Sequence, residues 1–144
     1  MRVTFCGVRG STPAPGPDFV RYGGHTSCVA LAHDGERPTL LLDGGTGLMR
    51  VTDLLGATPF HGTLLIGHLH WDHTHGIPFF RSGNAHGSRV DVLIPQQEPG
   101  RPGDAHATLA RCFSPPHFPV EPRELGGGWT FDESLRHVVN DGLM

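Results

Sequence analysis

Four side chains of metal-ligating type, His68, His70, Asp72 and His73, fall within the six-residue run HLHWDH. They directly follow the run Thr63 to Ile66, which reads as a buried strand delivering side chains to a site. Few arrangements satisfy both segments. In an extended stretch His68 and His70 project to the same face, so two imidazoles can converge on one cation. A turn after them lets Asp72 and His73 address a second cation alongside. Imidazole with carboxylate suits Zn2+ best, with Mn2+ or Fe2+ as alternatives. One ion lowers the pKa of a bound water to about 7, and a pair about 3.5–4 Å apart clamps both oxygens of a displacement. A lone histidine is usually a surface residue, but four ligand types this close together are not a surface accident. His61 and His75 flank the run as ordinary polar residues, with His75 a bystander near the cation.

The rest of the chain reads as a single layered α/β domain over residues 1–144, with short elements and many turns. Arg2 to Cys6 alternates and stops at Gly7, a strand that leads into the long loop GVRGSTPAPGPDF beside the site. Ser27 to Ala32 and Thr39 to Leu42 are further strands, and Asp34-Gly35 between them signals a hairpin, so the first three strands form a meander. Leu48, Val51 and Leu54 or Leu55 are spaced as in a helix over Gly47 to Leu55, which Gly56 ends. Arg89 to Ile94 is another strand, and Asp104 caps a short helix toward Phe113. Trp129 to Phe131 and His137 to Val139 are expected to pair as a final hairpin.

The net charge is −3 and no lysine or arginine stripe forms, so the electrostatic footprint of a dedicated nucleic-acid module is missing. Cys6, Cys28 and Cys112 are odd in number and far apart, as suits reduced, structural thiols. The opening MRVTFCG enters a strand without a signal peptide, and no apolar run reaches the length of a membrane span. These features lead to the expectation of a cytoplasmic protein.

HLHWDH resembles the HxHxDH signature of the metallo-β-lactamase fold superfamily. GVRGSTP (Gly7 to Pro13), YGGHTSC (Tyr22 to Cys28), LLLDGGTGL (Leu40 to Leu48) and HTHGIPFF (His73 to Phe80) are similar in order and spacing to its ribonuclease Z-like and cyclic-phosphodiesterase-like branch. That resemblance covers roughly residues 1–120 and implies an αββα sandwich, of which this chain holds the N-terminal, ββα-containing half. It implies His68 and His70 on a first metal, Asp72 and His73 on a second, and Asp72 as the catalytic group that orients or deprotonates water. Asp43, in the DGGTG turn, is placed behind the ligands to accept a hydrogen bond from a metal-bound imidazole, or to cap its own glycine turn. Arg9, in the loop after the first strand, either meets a substrate phosphate or is a solvated loop arginine. His25 stands where the branch more often has asparagine, either at the rim of the site or as an exposed turn histidine. The segment SPPHFPV, Ser114 to Val120, is similar to a proline and aromatic loop that shapes a substrate wall.

The implied activity is metal-dependent hydrolysis of a small-molecule or nucleotide phosphodiester, with thioester or lactone hydrolysis the alternative on the same fold. Relatives in this branch supply further ligands, two histidines and a bridging aspartate, from a second half. His117 and His137, near the end of this chain, sit in no matching motif. Two ligands per metal fall short of the three that a catalytic zinc site normally keeps. Half a sandwich also leaves a sheet face bare. Both considerations lead to the expectation of a homodimer or a complementing chain, or of a truncated, non-catalytic metal-binding fragment.

Overall fold

A computed structural model describes residues 1–97 and 103–133. Six strands form one sheet in sequence order: β1 (Arg2–Gly7), β2 (Cys28–Ala32), β3 (Leu40–Leu42), β4 (His61–Leu65), β5 (Arg89–Leu93) and β6 (Gly128–Asp132). β1, β2 and β3 run antiparallel, the expected meander, with the turn between β2 and β3 at Asp34-Gly35, where Gly35 takes φ 80°. From β3 onward every pairing is parallel. Parallel neighbours need a crossover, and the helices α1 (Leu48–Leu54), α2 (Trp71–Thr74) and α3 (Ala105–Ala110) lie in those crossovers.

Trp129 to Phe131 lies in β6 as expected for a strand, and β6 pairs parallel with β5. Its anticipated hairpin partner, His137 to Val139, lies outside the described residues. Asp104 is the N-cap of α3, its carboxylate accepting the amides of His106 and Ala107.

The register sorts side chains strictly by face. Ala30, Leu41, Leu64 and Val92 lie opposite one another across β2 to β5, and all are buried. Leu48 and Val51 of α1, Ile77, Phe80 and Leu109 of α3 join them in a single core. Fully burying each such side chain contributes roughly 1.5–3 kcal/mol, so this one face supplies most of the driving force. The opposite face carries a second row in register, Phe5, Val29, Leu42, Leu65 and Leu93. Phe5 is 71% exposed and the other four are only half-buried. The helices cover one side of the sheet, and among the described residues nothing forms a second sheet over the other. The structure is thus a mixed α/β layer of one sheet and one set of helices. Among the described residues no helix is long and apolar enough to cross a membrane.

The three thiols are free, Cys6 and Cys28 in the core and Cys112 half-buried. Contact with the Cys6 thiol, together with burial, pushes the Cys28 thiol up, and burial does the same to Cys112. Protonated, sheltered thiols fit a packing role.

Candidate metal centre

β4 ends at Leu65, and a short segment with bends at Gly67 and His70 leads into α2. Leu69 packs against the core, which directs its neighbours His68 and His70 outward. His70 is extended (φ −61°, ψ 153°) and caps α2, its carbonyl accepting the His73 amide at 2.9 Å and the Thr74 hydroxyl at 3.2 Å. That turn brings Asp72 and His73 back over His68. One ligand atom from each of His68, Asp72 and His73 lies within 4.8 Å of the others. The His68 and His73 rings are 3.9 Å apart between centroids, and His70 meets the group edge-on through His68, at 4.5 Å. The closest gathering thus joins His68 with the Asp72 and His73 pair, and His70 stands beside it, exposed.

Two loops from distant parts of the chain hold this group in place. Asp43 follows β3 at φ 64°, a left-handed conformation that aspartate tolerates better than most residues. Its Oδ1 accepts the Gly67 amide at 2.9 Å and its Oδ2 accepts the Ser27 hydroxyl at 2.9 Å. The same Oδ2 lies 2.9 Å from Nδ1 of His73, out of line for a hydrogen bond. Asp43 does not cap its own turn, because the Gly44 and Gly45 amides are given to the His73 and Ser27 carbonyls. The far nitrogen of the same ring, Nε2, is 3.3 Å from Oδ2 of Asp72, so His73 stands between two carboxylates.

Asp72 is anchored from the other side. The amide of Ser11, in the long loop after β1, donates to Asp72 Oδ2 at 2.7 Å. Burial pushes the Asp72 carboxyl up, but the Ser11 amide, its own amide and the His73 and His68 imidazoles outweigh it. The carboxyl therefore sits below its ordinary value and is an anion near neutrality, as a cation ligand must be.

The glycines of the DGGTG turn allow this packing. A Cβ on Gly45 would overlap the Asp72 carbonyl oxygen and crowd the Thr26 hydroxyl, so only glycine lets the turn lie against α2. Two threonines then lock the flanking motifs: the Thr26 amide donates to Thr46 Oγ1 at 2.9 Å and the Thr46 amide donates to Thr26 Oγ1 at 2.8 Å. His25 joins this pair, its Nδ1 being 3.3 Å from Thr46 Oγ1. Arg9 is engaged within its own loop, donating from Nε to the Gly23 carbonyl at 2.9 Å and lying 4.8 Å over the Phe19 ring. Ser11 and Ser27 escaped the sequence reading. Each lies in a quoted motif, but an amide donor and a hydroxyl donor carry no spacing that marks them.

Two imidazoles and a carboxylate offer three donors, the number a catalytic zinc site normally draws from protein while leaving a position open. A carboxylate beside the remote nitrogen of a ligating histidine is the usual support of such a site. The donor set therefore fits a divalent cation.

Over 141 residues, 97% of this chain and 43% of the relative, the sequence is 30% identical to ribonuclease Z of Methanothermobacter thermautotrophicus. It is 29% identical to ribonuclease Z of Haloarcula marismortui over 128 residues, 89% of this chain and 38% of that protein. The chain is similar to ribonuclease Z along most of its length. It spans about two fifths of the length of the curated relatives it matches. The ribonuclease Z of Natronomonas pharaonis matches at 27% identity across 89% of this chain. No family model matches the chain, and no solved structure gives a significant match. The relatives support a metallo-β-lactamase-type relation, and His68, Asp72 and His73 form the possible metal site within it.

Proposed function

We propose that this chain supplies the HLHWDH side of a metal-dependent phosphodiesterase centre and belongs to one sheet layer of an αββα sandwich. The observation that carries the reading is the convergence of His68, Asp72 and His73 within 4.8 Å, with the Asp43 carboxylate behind His73. Similarity to proteins named ribonuclease Z supports a phosphodiester substrate, small-molecule or nucleotide. A divalent cation held there, zinc ahead of manganese or iron, would supply Lewis acidity at a phosphoryl oxygen.

The chain's own residues divide the remaining tasks. His68, His70 and His73 provide nitrogen donors, and Asp72 provides the anion. Asp72 Oδ2 is held by the Ser11 amide, which leaves Oδ1 to orient the attacking water and receive its proton. Its low-lying carboxyl makes orientation the larger part of that role. Asp43 places a carboxylate oxygen 2.9 Å from Nδ1 of His73. Arg9 and His25 sit in loops, Arg9 tied through Nε to Gly23 and His25 through Nδ1 to Thr46, which leaves the terminal guanidinium nitrogens of Arg9 and Nε2 of His25 for a substrate.

The test combines metal analysis of purified protein with turnover of a chromogenic phosphodiester. Stoichiometric zinc, with turnover lost in Asp72→Ala and His70→Ala, is the expected result. Protein that retains no stoichiometric metal after gentle purification would overturn the reading.

The open sheet face favours a second reading, in which the centre is completed by ligands from a partner chain or a second copy. The row from Phe5 to Leu93 is the surface such a partner would cover. Light scattering on the metal-loaded protein separates the two: an inactive monomer that binds metal weakly supports the second.

A further inference from the structure

Of the three thiols, Cys6 is the one that is both partnered and within reach of solvent. Phe5 pairs with Val29 and Gly7 with Cys28, so Cys6 is the extra residue of a bulge in β1 and shares Cys28 with Gly7 as its opposite number. Both side chains turn to the core face of the sheet, where the two thiols touch. Residues opposed across antiparallel strands have Cα atoms roughly 4.5–5.5 Å apart, inside the span of about 4.4–6.8 Å that a disulfide bridges. The bulge therefore sets two sulfurs side by side where they can be joined.

Their surroundings differ. Cys28 is fully buried, and a Cβ on Gly47 would come within 2.7 Å of the Cys28 Cβ, so the start of α1 seals it. Cys6 is 7% exposed and lines a surface cavity of about 550 Å3 together with Arg21, Tyr22 and Arg50. Among the described residues no carboxylate lines that cavity, so its two arginines leave it electropositive. The Cys28 thiol, donating to the Cys6 sulfur, and the Arg50 guanidinium hold the Cys6 thiol below its ordinary value against the opposing effect of burial. An accessible sulfur in an electropositive cleft, backed by a second thiol, is the setting in which oxidation becomes selective.

We propose that Cys6 is a hydroperoxide-reactive thiol and that Cys28 resolves it to a reversible intramolecular disulfide. The Cys6 sulfur attacks one peroxide oxygen, the O–O bond breaks, and the departing hydroxide takes up the Cys6 proton as water. The Cys28 sulfur then attacks the sulfur of the Cys6 sulfenic acid, the S–O bond breaks, and the hydroxyl leaves with the Cys28 proton as a second water. The two thiols together give up two electrons, and the peroxide takes them. A dithiol restores both by exchange. None of the metal-ligating residues takes part, so the proposal stands apart from the phosphodiesterase reading.

The reduced full chain, treated with equimolar hydrogen peroxide, tests this by thiol titration and by peptide mapping under non-reducing conditions. Titratable thiols should fall from three to one, with Cys6 joined to Cys28, Cys112 free, and the full count regained in dithiothreitol. In Cys28→Ser the reaction should stop at a Cys6 sulfenic acid that dimedone traps, and in Cys6→Ser Cys28 should stay reduced. Should the buried Cys28→Ser fail to fold, Arg50→Gln, at an exposed position on the cavity wall, serves instead. It should slow disulfide formation roughly 1.5- to 5-fold, the effect of one exposed charge. Oxidation of Cys112 ahead of Cys6, a disulfide between chains, over-oxidation of Cys6 with Cys28 still free, or three untouched thiols overturns the proposal.

Discussion

Replacing Asp43 tests whether the support behind His73 is as specific as its geometry. In Asp43→Ala the Ser27 hydroxyl and the Gly67 amide both lose a charged acceptor. Hydrogen bonds to charged groups contribute about 1.5–3 kcal/mol each, but Gly67 is exposed and water can replace its partner, so its share falls to roughly 0.5 kcal/mol. Ser27 is half-buried, and a value near the lower end, about 1.5 kcal/mol, applies to it. Alanine at φ 64° adds about 1 kcal/mol of left-handed strain. The sum is about 3 kcal/mol of destabilisation, readable as a urea midpoint shift by circular dichroism. Two further variants separate the causes. Asp43→Gly loses the same bonds but not the strain, and should exceed Asp43→Ala in stability by about 0.5–1 kcal/mol. Asp43→Asn keeps the backbone tolerance and one acceptor, and should lose about 1 kcal/mol of stability while weakening zinc roughly 10- to 100-fold in a chelator competition. An alanine variant within about 0.5 kcal/mol of the wild type, binding zinc as tightly, would show that the carboxylate is idle and refute the reasoning.

Gly45→Ala should destabilise by more than about 3 kcal/mol and scatter the cation cluster, because its Cβ meets backbone oxygen, which cannot yield as a side chain can; a folded variant with normal zinc affinity contradicts this. Leu64→Ala, which empties the centre of the buried row, should cost about 2–5 kcal/mol in the same denaturation assay. The Asp91 carboxyl is held below its ordinary value chiefly by the Thr130 hydroxyl at 2.8 Å, with Arg89 aiding and burial opposing. Its folded pKa lies below the unfolded one, so its contribution is complete above the unfolded value of about 4 and disappears as pH falls through the folded one. Melting curves between pH 6 and pH 3 should therefore show a smaller loss on acidification in Asp91→Asn than in the parent. Thr26→Ala and Thr46→Ala should be strongly non-additive, since each removes one side of the same reciprocal pair; additive stabilities would mean that the two loops are held independently.

The loops gathered at α2 explain how so short a helix can be placed firmly. Four residues make no stable helix by themselves. Here the His70 carbonyl caps its start, the Gly44 carbonyl takes the Gly76 amide just beyond its end, and Ser11 reaches Asp72 across 61 positions of sequence. Its stability is thus borrowed from β1, β3 and β4, and the cluster inherits their rigidity.

Much of this was written in the linear chain. Period-two alternation from Arg2 to Cys6 and the Asp34-Gly35 turn specify an antiparallel meander because both are local signals. HLHWDH marked the candidate ligands because four donor types within a few positions need no partner elsewhere to be noticed. Where β6 docks was not written there: its parallel pairing with β5 depends on β5 and the crossover helix, not on the strand itself. The same holds for Asp43. Its residue type permits either a capping or a supporting role, and only the tertiary structure brings Ser27, Gly67 and His73 around its carboxylate from three other segments. Periodicity and ligand type are properties of neighbours in sequence, whereas Ser11 on Asp72 or Phe79 against Phe118 exists only once the chain has closed on itself. Loop closure brings those pairs together, and no short-range pattern encodes it.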